Sequence, residues 1–408
     1  MNSPNIAIIG GGAAGFFAAI TAKQKHPEAA ITIFEKQQKV LAKVMLTGGG
    51  RCNLTNSFAH ISDLKQAYPR GHQLMKRLFR QFDYRQTYQW FTDRGVALVT
   101  QDDQCVFPQS QDARSIVNCL VHEAHRLGVN ISTDHQLTQS RQQNDGRWLL
   151  TFRNGKPQSF HRVAITTGGA PHPRHLLHLD GLGHVIEPPV PSLFTFNIPD
   201  PQFLHLMGTV VNPVIASIPA TKFRAEGPLL ITHWGMSGPA ILKLSSHAAR
   251  YLHEQQYNAP LAINWVGRSN QSEIEETLLA LASTNPQKQL ATRSPFGLPS
   301  RLWLYILQKT GLSGDRKWAE LGRKSIHRLV EMLANDRYQI AGKGTFKEEF
   351  VTCGGIALGN IHPHTLESKV CPHLFFAGEV LDIDAITGGF NLQAAWTTGY
   401  VVGQHIAE

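Results

Sequence analysis

The chain opens with short apolar runs separated by a helical pattern. The continuous apolar run at residues 6–9 is typical of a buried parallel strand. A helix is predicted through residues 16–22, with Pro27 beyond its expected end, and a second strand over residues 30–34. This strand–helix–strand pattern predicts a βαβ unit.

Mixed helix and strand patterns continue as far as Pro188-Pro189-Val190-Pro191, a predicted domain boundary. Apolar periodicity predicts helices within residues 61–94 and over residues 110–127. Strands are predicted within residues 96–107, from Val129 toward Leu137, over residues 148–152 and over residues 162–166.

The middle of the chain has a different pattern. Residues 192–265 are rich in β-like segments and turns, whereas helices are predicted over residues 274–281, 301–309 and 318–333. The last part returns to glycine-rich and apolar sequence, with a strand near residues 374–377 and a helix near residues 392–406. The sequence therefore predicts an α/β, Rossmann-like nucleotide-binding domain interrupted by an insertion.

The first turn carries the candidate nucleotide site. Gly10, Gly12 and Gly15 form a G-x-G-x-x-G pattern between the predicted strand and helix, and Glu35 follows Gly15 by 20 residues. Such glycines allow a tight turn and close approach of a pyrophosphate, while the acid accepts hydrogen bonds from a ribose. We therefore predict a dinucleotide site, with a chance glycine turn as the alternative.

Three further glycine-rich segments lie far apart in the sequence, at residues 47–53, 167–169 and 378–393. The first could bring its backbone close to a flat ring, with Arg51 meeting an anion, or be a tight surface turn. The second could be a ligand-binding strand end or an ordinary turn. In the third, Gly388-Gly389 precede a helix whose first N–H groups could face the N1/O2 edge of a flavin.

These segments resemble the two-dinucleotide-binding-domain flavoproteins. More narrowly, several motifs are similar to the YhiN/BaiN-type bacterial flavoproteins, which include aminoacetone-oxidase-like members. The motifs are Thr47-Gly48-Gly49-Gly50-Arg51-Cys52-Asn53-Leu54-Thr55-Asn56, Val106-Phe107-Pro108, residues 232–240, Val351-Thr352-Cys353-Gly354-Gly355 and residues 374–393. Together they span nearly the whole chain.

The resemblance implies an FAD domain over residues 1–190 and 346–408. It also implies an inserted β-rich, barrel-like domain over residues 191–268 and about 335–345, and an inserted helical subdomain over residues 269–334. It implies FAD with its pyrophosphate on Gly10–Gly15, its adenosine ribose on Glu35 and its adenine on the backbone of Leu137. The candidate cofactor-binding residues are Gly10, Gly12, Ala13, Ala14, Gly15, Glu35, Lys36, Thr47, Gly48, Gly49, Gly50, Arg51, Cys52, Asn53, Leu137, Thr167, Gly168, Gly169, Gly378, Glu379, Gly388, Gly389, Phe390, Asn391, Leu392 and Gln393.

One segment departs from this family. Residues 170–183 are shorter than the usual stretch before the Gly183-His184 pair, so substrate or second-nucleotide contacts there stay open. His172, His175 and His178 in this segment could form a metal site or a solvated loop. We favour the loop and predict no metal.

Three residues are catalytic candidates. Cys52 lies beside Arg51, whose charge could lower the thiol pKa and permit a redox role; a packed cysteine is the alternative. His233 and Ser237 lie in a Gly/Pro-punctuated part of the insertion and could face the substrate side of the flavin, or simply form a turn.

Charge and composition narrow the function. The net charge is +9, but the Lys and Arg residues are dispersed, which favours a generally basic surface over a nucleic-acid partner. The five cysteines include no C-x-x-C pair, and no apolar run reaches the about 18 residues of a membrane span. We expect a cytoplasmic protein with a small-molecule substrate and leave the oligomeric state open.

The leading hypothesis is an FAD-dependent oxidoreductase that uses hydride chemistry at flavin N5 on a small organic substrate, either an amine or an enone. The sequence holds only one G-x-G-x-x-G followed by an acid, so it does not support a separate nicotinamide domain. NAD(P)H stays open as an electron donor that docks transiently. The alternatives are a non-catalytic or sensory FAD protein and a flavoprotein that acts on RNA.

Overall fold

The computed structural model describes residues 3–169, 179, 181–344 and 351–408. The described chain forms two compact units, Met1–Pro191 with Val351–Glu408, and Ser192–Phe350. The division of the insertion into a β-rich and a helical domain stays a prediction.

The elements are numbered along the chain. The strands are β1 Asn5–Ile9, β2 Ala30–Phe34, β3 Thr55–Asn56, β4 Leu98–Thr100, β5 Cys105–Pro108, β6 Asn130–Ser132, β7 Leu137–Gln142, β8 Trp148–Phe152, β9 Gln158–Phe160, β10 Arg162–Ile165, β11 Ile186–Ser192, β12 Phe196–Asn197, β13 Val210–Ser217, β14 Arg224–Ile231, β15 Gly235–Ser237, β16 Asn258–Asn264, β17 Asp336–Ala341, β18 Val351–Ile356 and β19 Leu374–Phe376. The helices are α1 Ala13–Lys25, α2 Ala42–Gly50, α3 His72–Leu78, α4 Tyr84–Thr92, α5 Arg114–Arg126, α6 Pro201–Leu204, α7 Pro239–His247, α8 Ala249–Glu254, α9 Gln271–Thr284, α10 Ser300–Lys309, α11 Arg323–Asn335 and α12 Phe390–His405.

The first unit is built on a parallel five-stranded sheet in the order β19-β10-β1-β2-β6. The central strand β1 is apolar from Ile6 to Ile9, and Ile6, Ala7 and Ile8 are completely buried. Such continuous burial is what a parallel strand covered on both faces requires. The predicted βαβ unit of β1, α1 and β2 is confirmed.

One prediction in this unit is wrong in detail. The strand after Val129 ends at Ser132, because Asp134 has a left-handed φ of 57° and turns the chain. Leu137 instead begins β7 in a separate antiparallel sheet, β7-β8-β9. The helical segment at residues 61–94 contains two α-helices, and the second starts at a capping box formed by Asp83 and Gln86.

The second unit contains an antiparallel six-stranded, barrel-like sheet in the order β12-β15-β14-β13-β16-β17. Helices α9, α10 and α11 share one hydrophobic core with this sheet. The predicted mixed α/β fold class is confirmed. Sequence patterning did not predict α7 and α8, and the helix predicted over residues 318–333 is a 3₁₀ turn followed by α11.

A buried carboxylate joins three elements of this second unit. Asp336 is 1% exposed and accepts hydrogen bonds from Trp265 Nε1 at 2.9 Å and from the Tyr338 hydroxyl at 2.6 Å. Lys309, at the end of α10, forms its ion pair. Because a buried charge without its counter-ion is strongly destabilising, Lys309 is the partner on which the network depends.

We predict that Lys309→Met lowers the free energy of unfolding by about 3–5 kcal/mol, since it leaves Asp336 buried without its counter-ion. Denaturant titration followed by tryptophan fluorescence measures the change. Lys317→Met, at an exposed lysine that bonds Gln287, is the control and should change stability little. Equal effects of the two substitutions would contradict the assigned role of the pair.

Candidate cofactor site

The turn after β1 combines a crowded and an open glycine. A Cβ on Gly15 would lie 2.0 Å from the carbonyl oxygen of Gly10, so a side chain there cannot fit. A Cβ on Gly12 would meet no atom within 4 Å. Gly12 is also the N-cap of α1 and has no side chain that could cap the first N–H groups of the helix.

Glu35 lies against this turn. Its Oε2 accepts a hydrogen bond from the Gly11 N–H at 2.8 Å, and its Oε1 accepts one from the Gln37 N–H at 2.9 Å. The carboxylate is therefore held at the end of β2, next to the start of α1. The adjacent Lys36 is exposed.

The carboxyl ends of β10 and β19 lie at the same edge of the sheet as the turn after β1. The Thr166 hydroxyl donates to the carbonyl oxygens of Ile9 at 3.0 Å and Gly10 at 2.9 Å. A Cβ on Gly378 would lie 2.9 Å from the Ala14 Cβ. Residues 10–15, 166–169 and 378–379 thus converge at the carboxyl end of the parallel sheet, where such folds bind ligands.

Glu379 is held by residues that sequence reasoning missed. Its Oε1 accepts from the Thr352 N–H at 2.7 Å, and its Oε2 pairs with Lys43 Nζ at 3.3 Å. A Cβ on Gly169 would lie 2.6 Å from Glu379 Oε1, so a larger residue there would displace the Glu379 carboxylate from this position. Thr352 lies within the motif at residues 351–355, and Lys43 lies four residues before the motif at residues 47–56; this proximity was the available signal.

Residues 47–53 form an irregular turn at the end of α2. Thr47, Gly48 and Gly49 have non-helical backbone angles. The Arg51 guanidinium stacks over the Phe107 ring at 4.3 Å, and its Nε donates to the Gly48 carbonyl oxygen at 3.0 Å. Arg51 therefore stabilises the turn itself, and an interaction with an anion stays a prediction.

The structure brings this turn to the start of α12. With its amide oriented to satisfy its neighbours, Asn53 accepts from the Gly389 N–H at 3.2 Å and donates to the Thr55 carbonyl oxygen at 3.0 Å. Asn56 Nδ2 donates to the Gly388 carbonyl oxygen at 3.0 Å. Two glycine-rich segments more than three hundred residues apart thus form one surface.

The polar side chains at the start of α12 bind protein groups. Asn391 bonds both backbone groups of Ala385, accepting at 2.9 Å and donating at 3.0 Å. Gln393 is completely buried and bonds the hydroxyls of Thr55 and Thr397. Phe390 packs on Phe58, and α12 starts two residues before its predicted position. These side chains therefore organise the turn, so only its backbone is offered to a ligand.

An ion pair lies beside this turn. Asp384 has no side-chain exposure and makes a two-point contact with Arg70, whose side chain is 16% exposed. Burial alone would lower the pKa of Arg70, but the hydrogen bonds and charge of Asp384 outweigh it and raise the pKa above its ordinary value. Sequence analysis did not identify this pair.

The prediction that Arg51 lowers the pKa of Cys52 is wrong. Cys52 is completely buried, and this burial raises the pKa of its thiol to about 12, although a hydrogen bond involving Thr47 acts in the opposite direction. The alternative interpretation, a packed cysteine, fits this environment.

The other catalytic candidates lie in the second unit. His233 is exposed and meets the Trp234 ring edge-on at 4.3 Å, and Ser237 ends β15. Their roles stay predictions, as does the contact of Leu137 with adenine. His172, His175 and His178 lie outside the described residues. Within the described part of the chain, no helix has the length and hydropathy of a membrane span.

We predict that Cys52 in the native protein reacts with iodoacetamide more slowly than the partly exposed Cys119 and Cys371. A thiol with this pKa is almost fully protonated at neutral pH, and its thiolate fraction grows only as the pH rises toward about 12. Peptide mass spectrometry of a labelling time course measures the order. Urea-unfolded protein is the control, and preferential labelling of native Cys52 at neutral pH would contradict the prediction.

The chain matches a known protein family over almost its entire length. The HI0933-like protein Rossmann domain family matches residues 4–405. A 3-dehydro-bile acid delta(4,6)-reductase of Clostridium scindens is 27% identical over 413 residues and covers 99% of both chains. A ribosomal RNA dihydrouridine synthase of Escherichia coli is 27% identical over 410 residues, covering 98% of this chain and 97% of that protein.

A solved structure shares the fold. The 3-ketosteroid-delta4-(5alpha)-dehydrogenase of Rhodococcus jostii RHA1, in complex with 4-androstene-3,17-dione, superposes with a TM-score of 0.52 at 16% identity. The alignment covers 100% of this chain and 97% of the dehydrogenase. At this identity the likeness concerns the fold alone.

Proposed function

This chain belongs to the HI0933-like family, and we propose that it is an FAD-dependent reductase of a carbon–carbon double bond conjugated to a carbonyl group. Membership confirms the resemblance to the YhiN/BaiN-type proteins found in the sequence. The single observation that carries the cofactor assignment is the open N-terminus of α1 beside Glu35.

The residues present fit a dinucleotide. A pyrophosphate needs close approach to backbone N–H groups, and the space above Gly12 is open while Gly15 lets the helix begin directly after the turn. The Glu35 carboxylate, next to this space, is suited to accept the hydroxyls of a ribose. At Gly49 and Gly50 an added Cβ would meet no atom closer than 4.0 Å, so the backbone of the turn at residues 47–53 leaves room for a flat ring.

The class of reaction comes from the names of the relatives. One is named for the reduction of a 3-dehydro-bile acid and the other for the synthesis of dihydrouridine. Each name describes the saturation of a double bond conjugated to a carbonyl group. The two substrates differ greatly in size, yet the named step is the same, and neither name describes oxidation of an amine. The names therefore support an enone-type reduction in this chain more strongly than oxidation of an amine.

The protein groups have defined tasks in this proposal. Bound FAD supplies hydride transfer at its N5 atom. The first N–H groups of α1 bind the pyrophosphate, and Glu35 orients the adenosine ribose. The N–H groups at the start of α12 would stabilise negative charge on the reduced cofactor. Asn53 and Asn56 hold that helix start against the turn at residues 47–53.

We predict that Gly12→Ala raises the dissociation constant of FAD about tenfold or more, because the new methyl group occupies the space through which the pyrophosphate reaches the backbone. Gly12 has a φ of −95°, which alanine adopts without strain, so the fold should be retained. Gly322→Ala is the matched control, since Gly322 is also an N-cap with a negative φ and open surroundings.

Flavin fluorescence titration of the apoprotein gives both constants, and thermal unfolding checks the fold. If Gly12→Ala and Gly322→Ala bind FAD as tightly as the unsubstituted protein, the pyrophosphate does not lie at α1.

We predict that the purified protein shows flavin absorbance and that its reduced form is reoxidised anaerobically by a 4-en-3-one steroid. Titration with NADH, NADPH and dithionite identifies a competent electron donor. Primary amines, tested as reductants of the oxidised flavin, should leave its absorbance unchanged. Bleaching by an amine without reoxidation by the enone would contradict the proposed reaction, whereas colourless protein that takes up no FAD would contradict the cofactor.

Ribosomal RNA is a second candidate substrate. The observation that favours it is that the Escherichia coli relative, 27% identical over almost the entire chain, is named for this activity. Anaerobic reoxidation by unmodified ribosomal RNA, with dihydrouridine detected by mass spectrometry, separates this substrate from the free enone.

A further inference from the structure

The segment before α3 pairs with the segment before α12. Arg70 and Asp384 form an isolated antiparallel bridge, and the Ile386 N–H donates to the Ala67 carbonyl oxygen at 2.9 Å. A Cβ on Gly71 would lie 2.7 Å from Ile383, so the two segments are in tight contact. Residues 67–71 therefore form a support for residues 383–386.

The side chains reinforce this backbone contact. Asp384 is completely buried, and the planar guanidinium of Arg70 meets it at two points. A two-point Arg–carboxylate contact fixes orientation as well as separation, which a lysine cannot do. The pair therefore fixes both the distance and the orientation of the Asp384 carboxylate, whereas attraction between the two charges alone would leave its orientation free.

The loop that follows Asp384 is held at its other end as well. Asn391 bonds both backbone groups of Ala385, and Asn56 bonds the carbonyl oxygen of Gly388. Residues 385–391 are consequently a closed loop attached to the protein at each side. Arg70 fixes the Asp384 end of this loop, while Asn53 and Asn56 hold its Gly388-Gly389 end.

We propose that the Arg70–Asp384 pair is a positioning device that sets the place of Gly388-Gly389 and of the first N–H groups of α12 against the flavin. This inference rests on the proposed function. Arg70 acts through Asp384 and the closed loop, so it is a positioning residue. Loss of the two-point contact would displace the N–H groups from the flavin edge and weaken the stabilisation of the reduced cofactor.

The test separates positioning from general stability. Arg70→Met leaves a buried carboxylate and is expected to destabilise the fold, whereas Arg70→Met/Asp384→Leu removes both charges and should recover the unfolding temperature. Arg70→Lys keeps the charge and loses the two-point geometry. Arg94→Met/Glu123→Leu is the matched control, because that ion pair in the same unit is similarly buried, at 19% and 8% side-chain exposure.

FAD dissociation constants and flavin midpoint potentials are measured for each purified protein. We expect Arg70→Met/Asp384→Leu and Arg70→Lys to bind FAD about tenfold or more weakly, the size expected for one lost charged hydrogen bond. Their midpoint potentials should move to more negative values, because the reduced flavin loses favourable N–H contacts. The control should keep the FAD affinity and potential of the unsubstituted protein.

Two results overturn different claims. If the double variant at Arg70 and Asp384 recovers its unfolding temperature and keeps the original FAD affinity and potential, the pair only stabilises the fold and the inference is wrong. If the unsubstituted protein binds no FAD, the proposed function fails, and the inference fails with it.

Discussion

The close packing of α1 against α12 is the constraint on which the first unit depends. A Cβ on Gly399 would lie 2.6 Å from the Ala14 carbonyl oxygen, and a Cβ on Gly403 would lie 2.5 Å from the Thr21 Cβ. Larger residues at these points would separate the two helices, because their backbones and side chains already fill the space. The contact brings together chain ends almost four hundred residues apart. The N–H of Gly378 donates to the Thr398 hydroxyl at 2.8 Å, which locates the end of β19 beside α12.

This packing explains how separate glycine-rich segments form one site. The parallel order of β19, β10, β1 and β2 places their carboxyl ends at a single edge of the sheet. Of these strands, β1, β10 and β19 end in segments with little side-chain bulk, so backbone groups form much of the surface there. The polar side chains nearby, such as Asn391 and Gln393, are bonded to protein groups. A rigid surface of backbone N–H groups needs little reorganisation when an anionic ligand binds.

Local signals explain what could be predicted. The βαβ unit could be predicted because its apolar runs, glycines and Glu35 lie within 35 residues. The fold class could be predicted from the change in hydrophobic pattern in the middle of the chain. Ion pairs such as Arg70–Asp384 and Lys43–Glu379 join residues more than three hundred positions apart and leave no periodic trace. The error at Leu137 has a similar origin, since a single left-handed residue, Asp134, redirects the strand. The lowered pKa considered for Cys52 is not found, because burial of the thiol raises its pKa.

The same physics explains why the fold says more about the reaction than about the substrate. Contacts to a dinucleotide can be made by helix termini and short turns, which depend on topology and a few glycines. Two relatives named for a bile acid and for ribosomal RNA each align with almost the entire chain at 27% identity. A scaffold retained across such different named substrates cannot by itself select between them. The choice of substrate must depend on side chains that differ between proteins with this scaffold. Measured turnover of each substrate class is therefore the appropriate evidence for specificity.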